Sequence, residues 1–214
     1  MEFERVVRRR RMVRDYDPAR PVPPAVLDKL LDLAIRAPSA GFSQGWGFLV
    51  LTEPADRERF WAATTDPDEV PDSWLAGMGR APALVVAHSN KDIYLDRYAA
   101  ADKGWTDRDE ARWPVPYWHI DAGFASLLIL LGAVDEGLGA CFFGIPPRRM
   151  ATYRAAFDVP EEYTPIGAVS IGYPAPDRRS PSLRRGRRSV AEVVHDGRWG
   201  SYRGLNSQER ETRQ

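Results

Sequence analysis

Cysteine is nearly absent from this chain: Cys141 is the only one in 214 residues. A lone thiol excludes an intramolecular disulfide framework and a thiolate metal cluster, and it fits a reducing compartment such as the cytoplasm. The three histidines, His88, His119 and His195, lack metal-ligand spacing and read as structural or surface residues. Excess charge of either sign is also missing, because 30 Lys and Arg are matched by 30 Asp and Glu. No global field therefore recruits nucleic acid or a membrane surface. The longest apolar run, Ala122 to Val134, falls short of the roughly 20 residues that span a bilayer. The amino terminus carries charges where a signal peptide needs an apolar core. Two nucleotide motifs are lacking as well. Gly137-Leu138-Gly139 has no third glycine at dinucleotide-fingerprint spacing, and there is no phosphate-binding Gly-Lys-Ser/Thr loop.

What is present is an ordinary globular composition, with 43% hydrophobic residues, 28% charged residues and seven Trp. The length suits one domain, residues 1–214, without internal repeats or a linker to a second folded unit. Glu2 to Val13 reads as a short helix with Phe3, Val6 and Val7 on one side. Pro23 and Pro24 open a second helix, in which Val26, Leu27, Leu30, Leu31 and Ala34 recur at helical spacing. Strands are expected at Phe48–Thr52, Ala83–His88, Ala140–Phe143 and Ile166–Tyr173, with helices at Asp56–Ala63 and Arg148–Phe157. Ile120–Leu138 is apolar nearly all round, so it belongs at the centre of the fold or in a subunit interface.

Two segments resist regular structure. Ser89–Trp118 shows no sustained periodicity and holds Tyr94, Tyr98, Trp105, Trp113, Tyr117 and Trp118 among many charges. It reads either as a lid or binding loop or as a partly helical surface excursion whose aromatics pack down. From Ala175 the chain is polar and basic, an extended arm and tail over 175–214.

Chemistry concentrates in three places. Arg8 to Arg11 with Arg14, and Arg184 to Arg188, supply guanidinium forks suited to phosphate, or to nucleic acid. Between the second helix and the first strand, Arg36 to Trp46 is broken by Pro38 and offers small polar side chains and bare backbone. That suits either an ordinary connection or close approach to a flat ligand.

The spaced pattern Arg10-Arg11-Met12-Val13-Arg14, then Ala37-Pro38-Ser39, Ser43-Gln44 and Trp46, resembles the opening signatures of the nitroreductase family of FMN enzymes. Pro165 to Pro174 resembles the family's late strand ending in Gly-Tyr-Pro. The pattern departs at Met12 for Ser, Phe42 for Asn and Gly45 for Pro. The resemblance implies an α+β fold, with a central mixed sheet flanked by helices and a carboxy-terminal arm embracing the partner of a homodimer. It implies that Arg10 and Arg11, beside Met12, hold the ribityl phosphate end of FMN, and that Arg14 lies by N1 and O2, favouring the anionic reduced ring. Arg185-Gly186-Arg187 corresponds to a basic phosphate clamp. Phe143, Gly144 and Ile145 set backbone near N5, while Pro38, Ser39, Ala40 and Phe42 reach the same flavin from the other subunit.

The expected function is FMN-dependent transfer of hydride from NAD(P)H to an electron-poor acceptor such as a nitroaromatic or quinone, with no side-chain acid or base. Tyr98 and Trp105 are the candidate acceptor contacts, and no metal, nucleic acid or membrane partner is expected. Alternatives are a same-fold flavoenzyme for flavin fragmentation, azoline oxidation, reductive dehalogenation or deazaflavin-linked reduction, and a nucleic-acid-binding protein using its arginine clusters.

Overall fold

Four strands, β1 (Trp46–Leu51), β2 (Ala83–Asn90), β3 (Gly139–Phe143) and β4 (Tyr163–Gly172), form one sheet in the order β1-β2-β4-β3. In the computed structural model, residues 1–66, 68, 70, 72–176 and 180–204 are described. The chain divides into two compact units, Met1–Asp177 and Arg178–Gln214.

In the first unit every residue of β2 is buried, which explains its uninterrupted apolar run Ala83–Ala87. Its side chains alternate between two cores. Ala83 and Val85 join Leu27, Leu30, Ile129 and Val169 on one face, while Leu84 and Val86 join Phe60, Met78, Tyr153 and Ala168 on the other. The first face is covered by α2 (Pro24–Ala34) and α6 (Tyr117–Asp135), the second by α3 (Pro54–Thr64) and α7 (Met150–Ala156). Each large apolar side chain so enclosed contributes about 1.5–3 kcal/mol.

The expected mixed sheet is antiparallel along every ladder between its four strands. Among the described residues its parallel component is one isolated bridge, Met12 with Ala140. That bridge also shortens the expected first helix. The first helix, α1, spans Phe3–Arg9, and Arg10 leaves the helical region with ψ 122° so that the chain can run beside β3.

Ser89–Trp118 is more regular than its sequence pattern. Lys91–Ala99 forms α5, whose amino end is capped by the Asn90 side chain accepting from Ile93 N at 3.3 Å. Only Tyr94 and Leu95 of its nine residues are buried, so no apolar stripe marks it. A further short helix, α4 (Ser73–Met78), is capped by Asp72. α6 is 19 residues long and apolar enough, by length and composition, to cross a membrane. Half of its most apolar window is buried inside the fold, and Asp121 within it is hydrogen-bonded. It is the central helix of this unit.

The second unit, over its described residues, holds a 3-10 turn (Pro181–Arg185) and α8 (Val190–Val193). Ser189 and Glu192 close a capping box on α8. His195 stacks on Trp199 at 4.1 Å and pairs with Tyr202 through a bridge. The end of the expected tail, from Ser207, lies outside the described residues.

Candidate functional site

The arginine segment is pinned to β3. Val13 N donates to Ala140 O at 3.0 Å, and the segment approaches so closely that a Cβ on Gly139 would lie 2.6 Å from Val13 Cγ2. Gly77 of α4 backs onto the Arg14 carbonyl with no room for a side chain. The result is a fixed backbone from which Arg10, Met12 and Arg14, all half-buried, and exposed Arg11 project. Arg14 Nη1 donates to the Met12 carbonyl at 3.4 Å, and Arg9 and Arg11 line a cleft of about 130 Å³ with Gly139 and Pro174.

β3 then delivers Phe143, Gly144 and Ile145. The Phe143 ring turns into the fold, stacked on Trp61 at 5.5 Å with Trp74 edge-on at 5.9 Å, and Ile145 is buried. Their side chains are thus committed to packing. What this turn offers outward is the backbone of Gly144, which is exposed and lines a cleft of about 150 Å³ with Trp61 and Trp74. A Cβ built on Gly144 meets nothing within 4 Å, so the space in front of it is open.

The loop carrying Pro38, Ser39, Ala40 and Phe42 is strained and held. Gly41, Phe42 and Gln44 have φ of 59°, 56° and 54°, in the left-handed region, which costs the two non-glycine residues about 1 kcal/mol or more each. Surrounding contacts hold the loop in this shape. Ala40 N donates to Asp121 Oδ2 at 2.9 Å, Gln44 N to Ser39 Oγ at 3.0 Å, and Arg97 Nε to Gly41 O at 2.9 Å. Tyr94 donates to the same Asp121 oxygen at 2.8 Å; its burial, then that carboxylate, push the phenol far above its ordinary range, so it stays protonated. The departure at Gly45 has a local cause, since a Cβ there would meet the Tyr94 ring at 2.5 Å and Asn90 O at 2.8 Å. Phe42, where the usual Asn would stand, is 76% exposed.

Tyr98 and Trp105 contact each other at 4.8 Å in an aromatic cluster centred on Trp113. Tyr98 also packs against Gly41, where a Cβ would come within 2.7 Å of its ring. Arg185 and Arg187 are exposed on the second unit, either side of Gly186. Sequence reasoning missed Tyr94, Arg97 and Asp121 as anchors of the loop. The available signal was Asp121 itself, an acidic residue inside an otherwise apolar helix.

The remaining candidates are structural. Cys141 is buried in the core. His88 hydrogen-bonds Tyr153 at 3.0 Å, and His119 Nδ1 is 2.8 Å from Ser89 Oγ.

An antiparallel sheet between helical layers, with a basic segment along one strand and an open glycine at its end, defines an α+β protein whose candidate site sets cationic side chains beside exposed backbone. The Nitroreductase family profile matches residues 7–173, and the chain belongs to that family. It is therefore an oxidoreductase by family. The chain is 29% identical over 177 residues to a candidate NADH dehydrogenase/NAD(P)H nitroreductase of Methanothermobacter thermautotrophicus, covering 82% of this chain and 78% of that one. Among solved structures, a nitroreductase-like protein from Streptococcus mutans aligns with TM-score 0.69 at 16% identity, covering 91% of this chain and 97% of that one. A candidate nitroreductase in complex with FMN from Exiguobacterium sibiricum aligns with TM-score 0.63 at 19% identity, covering 88% and 98%. At those identities the two structures bear on the fold alone.

Proposed function

We propose that the chain is an FMN-dependent homodimeric oxidoreductase that passes hydride from NAD(P)H to an electron-poor acceptor such as a nitroaromatic or quinone. The observation that carries this reading is the Met12–Ala140 bridge, which lays Arg10, Arg11 and Arg14 along the strand that ends at open Gly144. The donor set fits the cofactor: paired guanidinium groups for a phosphate, a cation for the pyrimidine edge, and an unobstructed backbone amide for the ring. Bound FMN would supply the hydride chemistry.

The chain's own residues bind and orient. Arg10 and Arg11 hold the phosphate end, and Arg14 places positive charge at the ring edge; Arg185 and Arg187, either side of Gly186, are a basic pair of the phosphate-clamp type. The strained Pro38–Gln44 loop presents Ser39, Ala40 and Phe42 to the flavin of the other subunit. Support for a dimer comes from α6, whose Tyr117, Ile120, Phe124 and Leu127 lie on one face and are all exposed in the single chain. The basic arm after Pro174 embraces the partner. Support for FMN comes also from its presence in the Exiguobacterium sibiricum relative.

The test is the visible spectrum of the purified protein, with identification of the released chromophore, followed by anaerobic reduction with NADPH. A yellow protein that releases FMN, bleaches with NADPH and recovers its colour on adding a nitroaromatic is the expected result. A colourless protein that also fails to take up added FMN overturns the reading.

A further inference from the structure

Arg14 is held by contacts on both sides of its Cα. On the amino side, the Tyr16 hydroxyl donates to the Val13 carbonyl at 2.7 Å and so fixes the peptide plane that leads into Arg14. On the carboxyl side, Gly77 of α4 presses on the Arg14 carbonyl, where a Cβ would lie 2.2 Å from the oxygen. Asp15, next in the chain, accepts from Arg80 Nε at 2.9 Å and Nη2 at 2.6 Å. With both flanking planes fixed, the direction in which the Arg14 side chain leaves the backbone is fixed too.

The phenol belongs to the frame rather than to a binding surface. Tyr16 and Ser170 are each 0% exposed, so neither reaches a molecule bound outside. Tyr16 has one proton and three acceptors within reach: Val13 O at 2.7 Å, Ser170 Oγ at 2.8 Å and Ser170 O at 3.2 Å. Ser170 Oγ has one proton as well, and the phenol oxygen is nearer to it than Cys141 O at 3.4 Å or Met78 Sδ at 3.7 Å. When Ser170 donates to Tyr16, the phenol proton is left for Val13 O, the shortest of the three contacts, and each bond strengthens the other. Ser170 itself stands on β4, an interior strand paired on both sides, so the brace ends on a rigid support.

We propose that Tyr16, with Ser170 behind it, is a positioning residue for Arg14 and thereby tunes the reduction potential of the bound flavin. The inference rests on the proposed function for a flavin beside Arg14; what it adds is the device that aims the guanidinium. A cation at the pyrimidine edge favours the ring once it is reduced and anionic, by an amount that falls with distance. Arg14 Nη1 also donates to the Met12 carbonyl at 3.4 Å, so a rotated Val13–Arg14 plane displaces the charge along with the backbone.

The test measures midpoint potentials of the FMN-loaded, full-length protein by anaerobic reduction against a reference dye, with urea unfolding on the same samples. The variants are Tyr16→Phe, which keeps the ring, Ser170→Ala, Arg14→Gln and the pair Tyr16→Phe with Arg14→Gln. Arg14→Gln should lower the preference for the reduced ring by about tenfold, or about 30 mV at two electrons. Tyr16→Phe should lower it by about threefold, or about 15 mV, and Ser170→Ala by about twofold in the same direction. In the double variant the potential should fall no further than in Arg14→Gln alone, because the hydroxyl acts through that guanidinium. A merely structural hydroxyl predicts lost stability with the parent's potential, and that result overturns the inference. So does a Tyr16→Phe shift that persists at full size in the Arg14→Gln background. If Tyr16→Phe yields no folded protein, Ser170→Ala decides by the same criterion. A protein that neither contains nor takes up FMN overturns the proposed function and this inference together, whereas an FMN-loaded Tyr16→Phe at the parent's potential overturns this inference alone.

Discussion

Tyr94 donates its hydroxyl to Asp121 at 2.8 Å, and through that carboxylate it holds the amide of Ala40 in the left-handed loop that follows α2. Both side chains are buried, so the carboxylate depends on its two donors for solvation. Tyr94→Phe removes one donor and keeps the ring that fills the space beside Gly45. The expected loss is about 1–3 kcal/mol in urea unfolding, with faster hydrogen exchange at the Ala40 amide. Unchanged stability together with unchanged exchange would show that the loop is held by its other contacts.

Gly144 has open space where a Cβ would stand, yet it ends the strand beside the arginine segment. Gly144→Ala should leave unfolding stability within about 0.5 kcal/mol, because nothing in the chain is displaced. If the flavin ring lies against this backbone, the same methyl weakens FMN binding by roughly tenfold or more, about 1.4 kcal/mol. Equal FMN affinity in the variant and the parent would move the ring elsewhere.

The legible parts of the sequence were those where one local signal and the tertiary environment agree. The apolar run Ala83–Ala87 became a strand buried on both faces, and Pro24 began α2 as its fixed φ requires. The Pro38 break between α2 and β1 was legible as well, because the effect of proline on the backbone is visible from the residue alone. Helix within Ser89–Trp118 was one of two readings, but the bounds of α5 could not be placed, because its stability comes from a cap and from two aromatic rings packed on other segments, none of which makes a periodic stripe. The Met12–Ala140 pairing and the Asp121 anchor escaped for a related reason. Each joins residues far apart in the chain, and single-sequence patterns carry no record of such partners.

His88 gives the protein a pH-dependent stability. It is buried between Tyr153 and the Gly47 carbonyl, and burial lowers its pKa from the ordinary value, outweighing the backbone acceptors that would raise it. The unfolded chain therefore binds this proton first as pH falls below about 6.5, and the folded state loses stability until its own, lower pKa is passed. Between about pH 7.5 and about pH 5.5 the urea midpoint should fall, and His88→Gln, which does not titrate, should show a smaller fall. Some slope remains in the variant, because burial lowers the pKa of His119 as well. Identical pH profiles for the two proteins would mean that His88 charges equally easily folded and unfolded.

Phe124 and Leu127 stand one turn apart on the outer face of α6, each 44% exposed in the single chain, while Ala125, Ser126 and Ile129 fill the core behind them. If that face is a two-fold interface, a charge placed at Phe124 enters it twice. Phe124→Asp forfeits the burial of two phenyl rings, about 3 kcal/mol or more across the pair, before the cost of desolvating the carboxylates. Dimer affinity should drop by about 100-fold or more in sedimentation equilibrium. The fold of each chain should survive with an unchanged circular dichroism spectrum, because the substituted side chain is on the surface. If the loop positioned by Asp121 through the Ala40 amide also reaches the partner's flavin, as proposed, FMN content should fall together with dimer content. A parent protein that sediments as a flavin-loaded monomer, or a Phe124→Asp protein that remains a dimer at micromolar concentration, would remove this face from the interface.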